Sequence, residues 1–250
     1  MDTRETKAVT LIPCYNAAPH LEQCLESAIA QGYPVILCDD ASVDKSLDIA
    51  KRYPIEIIAN ATNMGVGVTR QKLVEYAQYK YRPEFVQMFD ADDFFLTTNK
   101  IANQIKLIQA NASDVAIDPI AAVYIDESRR KIKFNADLLS EALKNRIIHL
   151  NACLFRLTAM PAFSKARCCN DALFMLDMIK RGLRVVVEEG TEPTSIYRYS
   201  WGGDQITANY HREKENLSIL FNREIQQLAW TSKIQLLDLS RRYKDRCQET

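Results

Sequence analysis

Short apolar runs alternate with amphipathic stretches through the first 112 residues. Residues 8–12 form an apolar run that reads as a strand stopped by Pro13. Leu21, Leu25, Ala28 and Ile29 then recur at i, i+4, i+7 and i+8, one face of an amphipathic helix. A second strand over 35–38 runs into Asp39-Asp40, and Ser42 or Asp44 is expected to cap a helix lasting to Tyr53. Pro54 precedes a third strand over 55–59. Met64-Gly65-Val66-Gly67 leads into a helix reaching about Tyr79. After Arg82-Pro83, the apolar run 85–89 reads as a buried strand ending at Asp90. Thr98 is placed to cap a further helix on which Ile101, Ile105 and Ile108 share a face.

Beyond residue 112 the rhythm changes. Residues 116–125 and 131–134 read as strands around the charged turn 126–130, with a helix over 137–143 and an extended piece over 152–155. An amphipathic helix over 171–181 ends at Gly182, and strands over 183–187 and 192–199 follow. From residue 211 the pattern is helical, with Leu217, Leu220, Phe221, Ile225 and Leu228 on one face. Repeated β-α-β alternation predicts an α/β fold: a Rossmann-like, mostly parallel sheet flanked by helices, with a C-terminal helical extension. Ligands bind such sheets beyond the carboxyl ends of the strands. Asp39-Asp40 and Asp90 to Asp93 both fall there.

Composition narrows the setting. Lys plus Arg and Asp plus Glu both number 32, so no overall field advertises a polyanionic partner, and nucleic acid is not indicated. Locally, residues 1–112 carry 11 basic and 14 acidic side chains, and residues 113–170 carry 9 and 6. The seven cysteines form no CxxC pair, which argues against a zinc site or a disulfide framework and for a reducing cytoplasm. No stretch approaches the ~20 apolar residues needed to cross a bilayer, and the N-terminus lacks a signal peptide's apolar core. The expectation is a cytoplasmic protein, at most peripheral to a membrane.

The run Phe89-Asp90-Ala91-Asp92-Asp93-Phe94 carries the most chemistry. Three carboxylates at the end of a buried strand repel one another, and a divalent cation would relieve that repulsion. Mg²⁺ or Mn²⁺ prefers oxygen ligands and is commonly held by one or two carboxylates plus substrate phosphates. The competing reading is a solvated acidic turn ahead of the next helix.

Several segments together resemble family 2 glycosyltransferases of the inverting, GT-A type. Leu11-Ile12-Pro13-Cys14-Tyr15-Asn16 is similar to the family's I-P-x-Y-N, and Asp39-Asp40-Ala41-Ser42-Val43-Asp44 to its D-D-x-S-x-D. Asn63-Met64-Gly65 with Arg70 resembles its N-x-G segment, and Asp90-Ala91-Asp92-Asp93 its D-x-D-D. Asn170-Asp171 resembles its E-D pair and Tyr197-Arg198 its later Y-R. The resemblance implies a nucleotide-sugar donor, a UDP-sugar first among them. Pro13, Tyr15, Asp39, Asp40, Arg70, Asp90 and Asp92 would bind it. Asp92 and Asp93 would hold Mn²⁺ or Mg²⁺, and Asp171 would be the general base toward an acceptor hydroxyl. Asp40 would accept from the base, and an ionised carboxylate suits a uracil or guanine N–H. Arg198, Trp201 and Gln205 would close over the diphosphate.

Two positions depart from the pattern: Asn170 stands where the family usually has Glu, and Ser200 where many members have His. They keep open a non-catalytic nucleotide-sugar-binding protein on the same scaffold. A sugar-phosphate nucleotidyltransferase is a further alternative, although residues 13–19 lack the glycines of its phosphate loop. The expected division is a donor-binding half over 1–112, an acceptor and catalytic half over 113–210, and a helical extension over 211–250. The acceptor is expected to be a glycan, a lipid-linked glycan or another hydroxyl. The C-terminal helices are candidates for homodimer contacts.

Overall fold

The structure, a computed structural model, describes residues 6–124, 129–144, 147–165, 170–190, 192–199 and 221–231. Among the described residues, eleven strands fall in two sheets. The larger joins β1 (Ala8–Cys14), β2 (Val35–Asp39), β3 (Glu56–Ala59), β4 (Phe85–Met88), β6 (Val115–Ile117), β9 (Cys153–Arg156) and β10 (Val185–Val187) in the order β10-β6-β9-β4-β1-β2-β3. Only β9 runs against its neighbours. The smaller sheet orders β5 (Phe94–Phe95), β11 (Ser195–Tyr199), β7 (Ile120–Tyr124) and β8 (Arg129–Ile132) as β5-β11-β7-β8.

The two-residue period of the strands decides which helices cover which face. Val9 and Leu11 pack with Leu73 and Ala77 of α3 (Val66–Lys80), and with Phe174 and Met178 of α6 (Asn170–Lys180). Ile12 and Cys14 pack on the opposite face with Leu21 and Leu25 of α1 (Ala18–Ile29). Ile101, Ile105 and Ile108 of α4 (Lys100–Ala110) close that face over Phe85 and Leu154. The predicted stripes on α1 and α4 are therefore the buried ones.

Several local expectations are corrected. β1 passes through Pro13 instead of stopping at it. The Thr10 N–H and the Cys14 carbonyl bond toward β2, while the Leu11 carbonyl accepts from Phe89 toward β4. The missing N–H of Pro13 thus faces the β4 side, beyond the last paired residue there, and costs no ladder bond. The strand expected over 116–125 breaks at Asp118-Pro119, and its two pieces, β6 and β7, lie in different sheets. Arg129 and Arg130, expected in a turn, begin β8, the edge strand of the smaller sheet. Asp137 does cap α5 (Leu138–Leu143), accepting from the Ser140 N–H at 3.0 Å.

Thr98 and Ser42 do not cap the helices they precede, whereas Asp44 Oδ1 accepts from the N–H of Ser46, the first residue of α2, at 2.9 Å. α4 begins after Asn99, and α2 is only Ser46–Ala50. Within 221–231 the chain is helical, and Phe221 and Ile225 are buried in the main core while Lys180 of α6 pairs with Glu224 at 2.7 Å. Phe221 and Ile225 of that face therefore belong to the chain's own core. Leu217 and Leu220 lie outside the described residues, as do Ser200, Trp201 and Gln205.

Candidate active site

The carboxyl ends of β1, β2, β3 and β4 lie along one edge, and the segments that follow them carry the first four motifs. The loop after β2 is knitted to the start of α1. Ser42 Oγ accepts from the Asn16 N–H at 3.0 Å, and Asn16 Oδ1 accepts from the Val43 N–H at 2.9 Å. Asp44 Oδ2 and Ser46 Oγ accept from the N–H groups of Ala18 and Ala17, at 3.0 and 2.8 Å. These side chains supply the acceptors that the first turn of α1 lacks in its own sequence. Asn16 and Ala41 hold left-handed backbone, with φ of 51° and 62°. Such conformations cost energy for residues with a Cβ and cluster at functional loops.

Asp40 is 3% exposed and takes three donors: the Asn60 amide at 2.7 Å and the N–H groups of Met64 and Gly65, both at 2.9 Å. It anchors the start of α3 to β2. Asp39, equally buried, accepts from the Ser42 N–H at 3.1 Å through Oδ2, and its Oδ1 has no partner among the described residues. Tyr15, Val43 and Met64 flank this pair as exposed apolar side chains. Sequence reasoning singled out only Tyr15 of the three, because an isolated Met or Val in a loop carries no signal.

The loop after β4 is arranged differently. Asp93 is fully buried: its carboxylate accepts from the Asn151 amide at 2.8 Å and from the Arg198 N–H at 2.9 Å. Burial, then the charges of Asp92 and Asp90, raise its pKa well above the usual range. Its place is at the seam between the two sheets, not at the surface. Asp92, by contrast, is exposed. Enough protein surrounds its carboxyl for desolvation, followed by the Asp90 charge, to push it up to about 6. Asp90 turns toward Arg70 at 2.7 Å.

Arg70 is 5% exposed although it sits on a helix. Its second N–H reaches Asp171 Oδ1 at 2.8 Å, so one guanidinium bridges the end of β4 and the first turn of α6. Asp171 is about a third exposed, at 32%. Arg70, expected at the nucleotide, here makes two internal ion pairs, with Asp90 and with Asp171.

Arg198 donates to the Asp92 carbonyl and to Gln23 of α1, with its guanidinium 4.9 Å over the Phe94 ring. It stands beside the carboxylate cluster, as the Y-R motif implied. Tyr197 lies among Asp93, Asp90, Asp171 and Asp92, and burial followed by those charges raises its phenol. Its ring lies 4.2 Å from His149, whose pKa burial lowers while Asp171 and Asp90 oppose the shift. Neither Asn151 nor His149 was legible in advance, since each meets the site only through tertiary contacts.

Asp92 offers a free carboxylate, and Asp90 lies two residues away with one oxygen on Arg70. Among the described residues no three His, Cys, Asp or Glu side chains gather to form a complete metal cage. This donor set fits a hard divalent ion that shares its shell with phosphate oxygens. Of the two expected ligands, Asp92 is exposed, whereas each Asp93 oxygen already accepts a hydrogen bond from within the chain.

A mostly parallel sheet with carboxylates at its strand ends, joined by a smaller mixed sheet, defines an α/β protein of the GT-A fold. Comparison with known proteins agrees. The sequence profile described as Glycosyl transferase family 2 matches residues 10–166, so the chain belongs to that family. The putative teichuronic acid biosynthesis glycosyltransferase TuaG of Bacillus subtilis is 25% identical over 84% of this chain and 89% of its own length. Two other curated relatives are matched over only 26% and 33% of their own lengths. Among solved structures, S. aureus TarS in complex with UDP superposes with a TM-score of 0.64 at 20% identity, over 78% of this chain and 61% of that one. The Pyrobaculum calidifontis mannosyltransferase PcManGT in complex with GDP-Man and Mn²⁺ gives 0.59 at 18%, over 86% and 63%. No helix among the described residues is long and apolar enough to cross a membrane.

Proposed function

We propose that this protein is an inverting, metal-dependent glycosyltransferase that moves a sugar from a nucleoside-diphosphate donor to an acceptor hydroxyl. One observation carries the reading: Asp90 and Asp171, far apart in sequence, meet on the two arms of a single buried guanidinium. This sets the candidate base beside the candidate donor grip. Asp171 is partly open to solvent, and its Oδ2 makes no hydrogen bond among the described residues, which leaves an oxygen to receive a proton.

The nucleotide lies across the strand ends, its base against Tyr15 and the Asp39-Asp40 loop and its diphosphate toward Asp92 and Arg198. Asp92, with Asp90, would hold Mn²⁺ or Mg²⁺, which supplies charge neutralisation for the leaving diphosphate. Asp171 takes the proton of the acceptor O–H as that oxygen bonds to the anomeric carbon. The bond from that carbon to the diphosphate oxygen breaks, and the electron pair leaves with the nucleoside diphosphate. One displacement inverts the anomeric centre. That two structural relatives were solved with UDP and with GDP-Man and Mn²⁺ supports this donor class.

The test is a thermal-shift panel of UDP-, GDP-, CDP- and dTDP-sugars with and without Mn²⁺. A ligand at about a hundred times its Kd stabilises the folded state by about 2.7 kcal/mol. Stabilisation by at least one nucleotide, larger with Mn²⁺, is expected. Stabilisation by none in either condition removes the transferase reading.

A further inference from the structure

We infer that Arg70 is a positioning residue that aims the Asp171 carboxylate, and that it makes no contact with the donor nucleotide. The inference rests on the assignment of Asp171 as base. Three observations carry it. The guanidinium is buried, and each terminal nitrogen gives one N–H to a carboxylate, Asp171 at 2.8 Å and Asp90 at 2.7 Å. Its Nε is also shut off from solvent and from any partner among the described residues. With its side chain 5% exposed and held between two carboxylates, Arg70 presents almost no surface to a nucleotide. The guanidinium also lies over the Phe163 ring at 5.8 Å, which fixes its plane from one side.

The same face of α3 carries a second constraint. A Cβ on Gly67, one turn before Arg70, would stand 2.0 Å from the Ser164 carbonyl oxygen and 2.6 Å from Asn170 Oδ1. Only glycine lets α3 approach the entry to α6 this closely. Gly67 therefore sets the distance between α3 and the Asn170-Asp171 turn, and Arg70 sets the direction of the carboxylate across that gap. Arginine suits the task because its planar fork presents two donors at a fixed angle, one to each acid. A lysine would keep the charge but lose the angle. Because Asp90 holds the other arm, the base and the end of β4 are positioned as one unit.

The experiment uses the full chain and needs no acceptor. Hydrolysis by water of UDP-glucose, UDP-GlcNAc, GDP-mannose and dTDP-glucose is followed with Mn²⁺, alongside the Kd for UDP and GDP. Arg70→Lys is expected to lower hydrolytic turnover by about 10²-fold, the size typical of misplaced reacting groups. Nucleotide Kd should stay within about threefold, because no donor contact is lost. Combined with Asp171→Asn, Arg70→Lys should add almost nothing, since residues acting as one unit are not additive. A tenfold or greater rise in nucleotide Kd, or losses that add in the double variant, overturns the inference. Unchanged hydrolysis in Asp171→Asn alone would instead sink the base assignment beneath it. If Arg70→Lys does not fold, Phe163→Leu decides. It leaves the charge in place and removes the ring under it, so turnover should fall severalfold at unchanged nucleotide Kd. Unchanged turnover would count against Arg70.

Discussion

At the end of β2, Asp40 and Asp44 commit both oxygens, and Asp39 one of its two, to the chain's own N–H groups. Asp40 alone takes three donors, and Asp44 and Ser46 finish the first turn of α1. At the end of β4 the carboxylates crowd one another and are held unevenly: Asp90 by the Arg70 guanidinium, Asp93 by the Asn151 amide and the Arg198 N–H, while the Arg198 guanidinium meets Asp92 at its carbonyl. The two acidic runs look alike in sequence. Hydrogen bonds inside the first make it a wall, whereas at the second Asp92 is left exposed, where the proposed metal would bind. A carboxylate's partners, more than its motif, decide whether it builds or binds.

The largest effect that would sharpen this contrast is on turnover. Asp171→Asn removes the proton acceptor at nearly constant shape and should cost about 10²- to 10⁴-fold in transfer or donor hydrolysis. Nucleotide Kd should barely move, and a parallel loss of binding would place Asp171 in the donor site instead. Next, Asp40→Ala strands the Asn60 amide and two backbone N–H groups in a buried place. Each unsatisfied donor costs about 1–3 kcal/mol, so a loss of about 3 kcal/mol is expected in urea unfolding. A loss below about 1 kcal/mol would show that this strand end is not the wall described.

The smallest effect belongs to Asp44→Ala, which removes an acceptor from the first turn of α1 and should cost about 1 kcal/mol. Burial raises the Asp44 pKa, but hydrogen bonds from Ser46 and from the Ala18 N–H outweigh it, and the net shift is downward from 3.8. A depressed pKa contributes stability above the unfolded value and loses it as pH falls through the folded one. The difference between wild type and Asp44→Ala should therefore hold at neutral pH and shrink only below about pH 4. A difference that closes by pH 6 would contradict the assignment.

Much of the scaffold was readable from periodicity. The stripe at Leu21, Leu25 and Ala28 is the buried face of α1, and the strand-helix alternation is the parallel sheet. Errors came where a local rule met a longer-range one. Pro13 breaks strands in general, but its nitrogen here faces a position with no ladder partner. Ser42 and Asp44 look like caps for the next helix, yet Ser42 turns to Asn16 ahead of α1, and Asp44 serves the starts of both α2 and α1, the latter reached only through the fold. The site followed the same logic. The motifs brought Asp92, Asp171 and Arg198 to one edge, as expected from their order. Arg70 and Asp93 were legible as charged residues but not as buried ones, because their partners lie 101 and 58 residues away. Nothing in a window of sequence reports such a pairing.

The division of labour between the two acidic strand ends is tested most directly by calorimetric titration of UDP and GDP, with and without Mn²⁺, into wild type and Asp92→Asn at pH 7.5 and pH 5.5. Wild type should bind one nucleotide more tightly with Mn²⁺ at pH 7.5. That gain should fade at pH 5.5, where a carboxyl pushed up to about 6 is largely protonated. Asp92→Asn should show no Mn²⁺ gain at either pH while keeping the metal-free affinity. A Mn²⁺ gain that survives in Asp92→Asn would contradict the account.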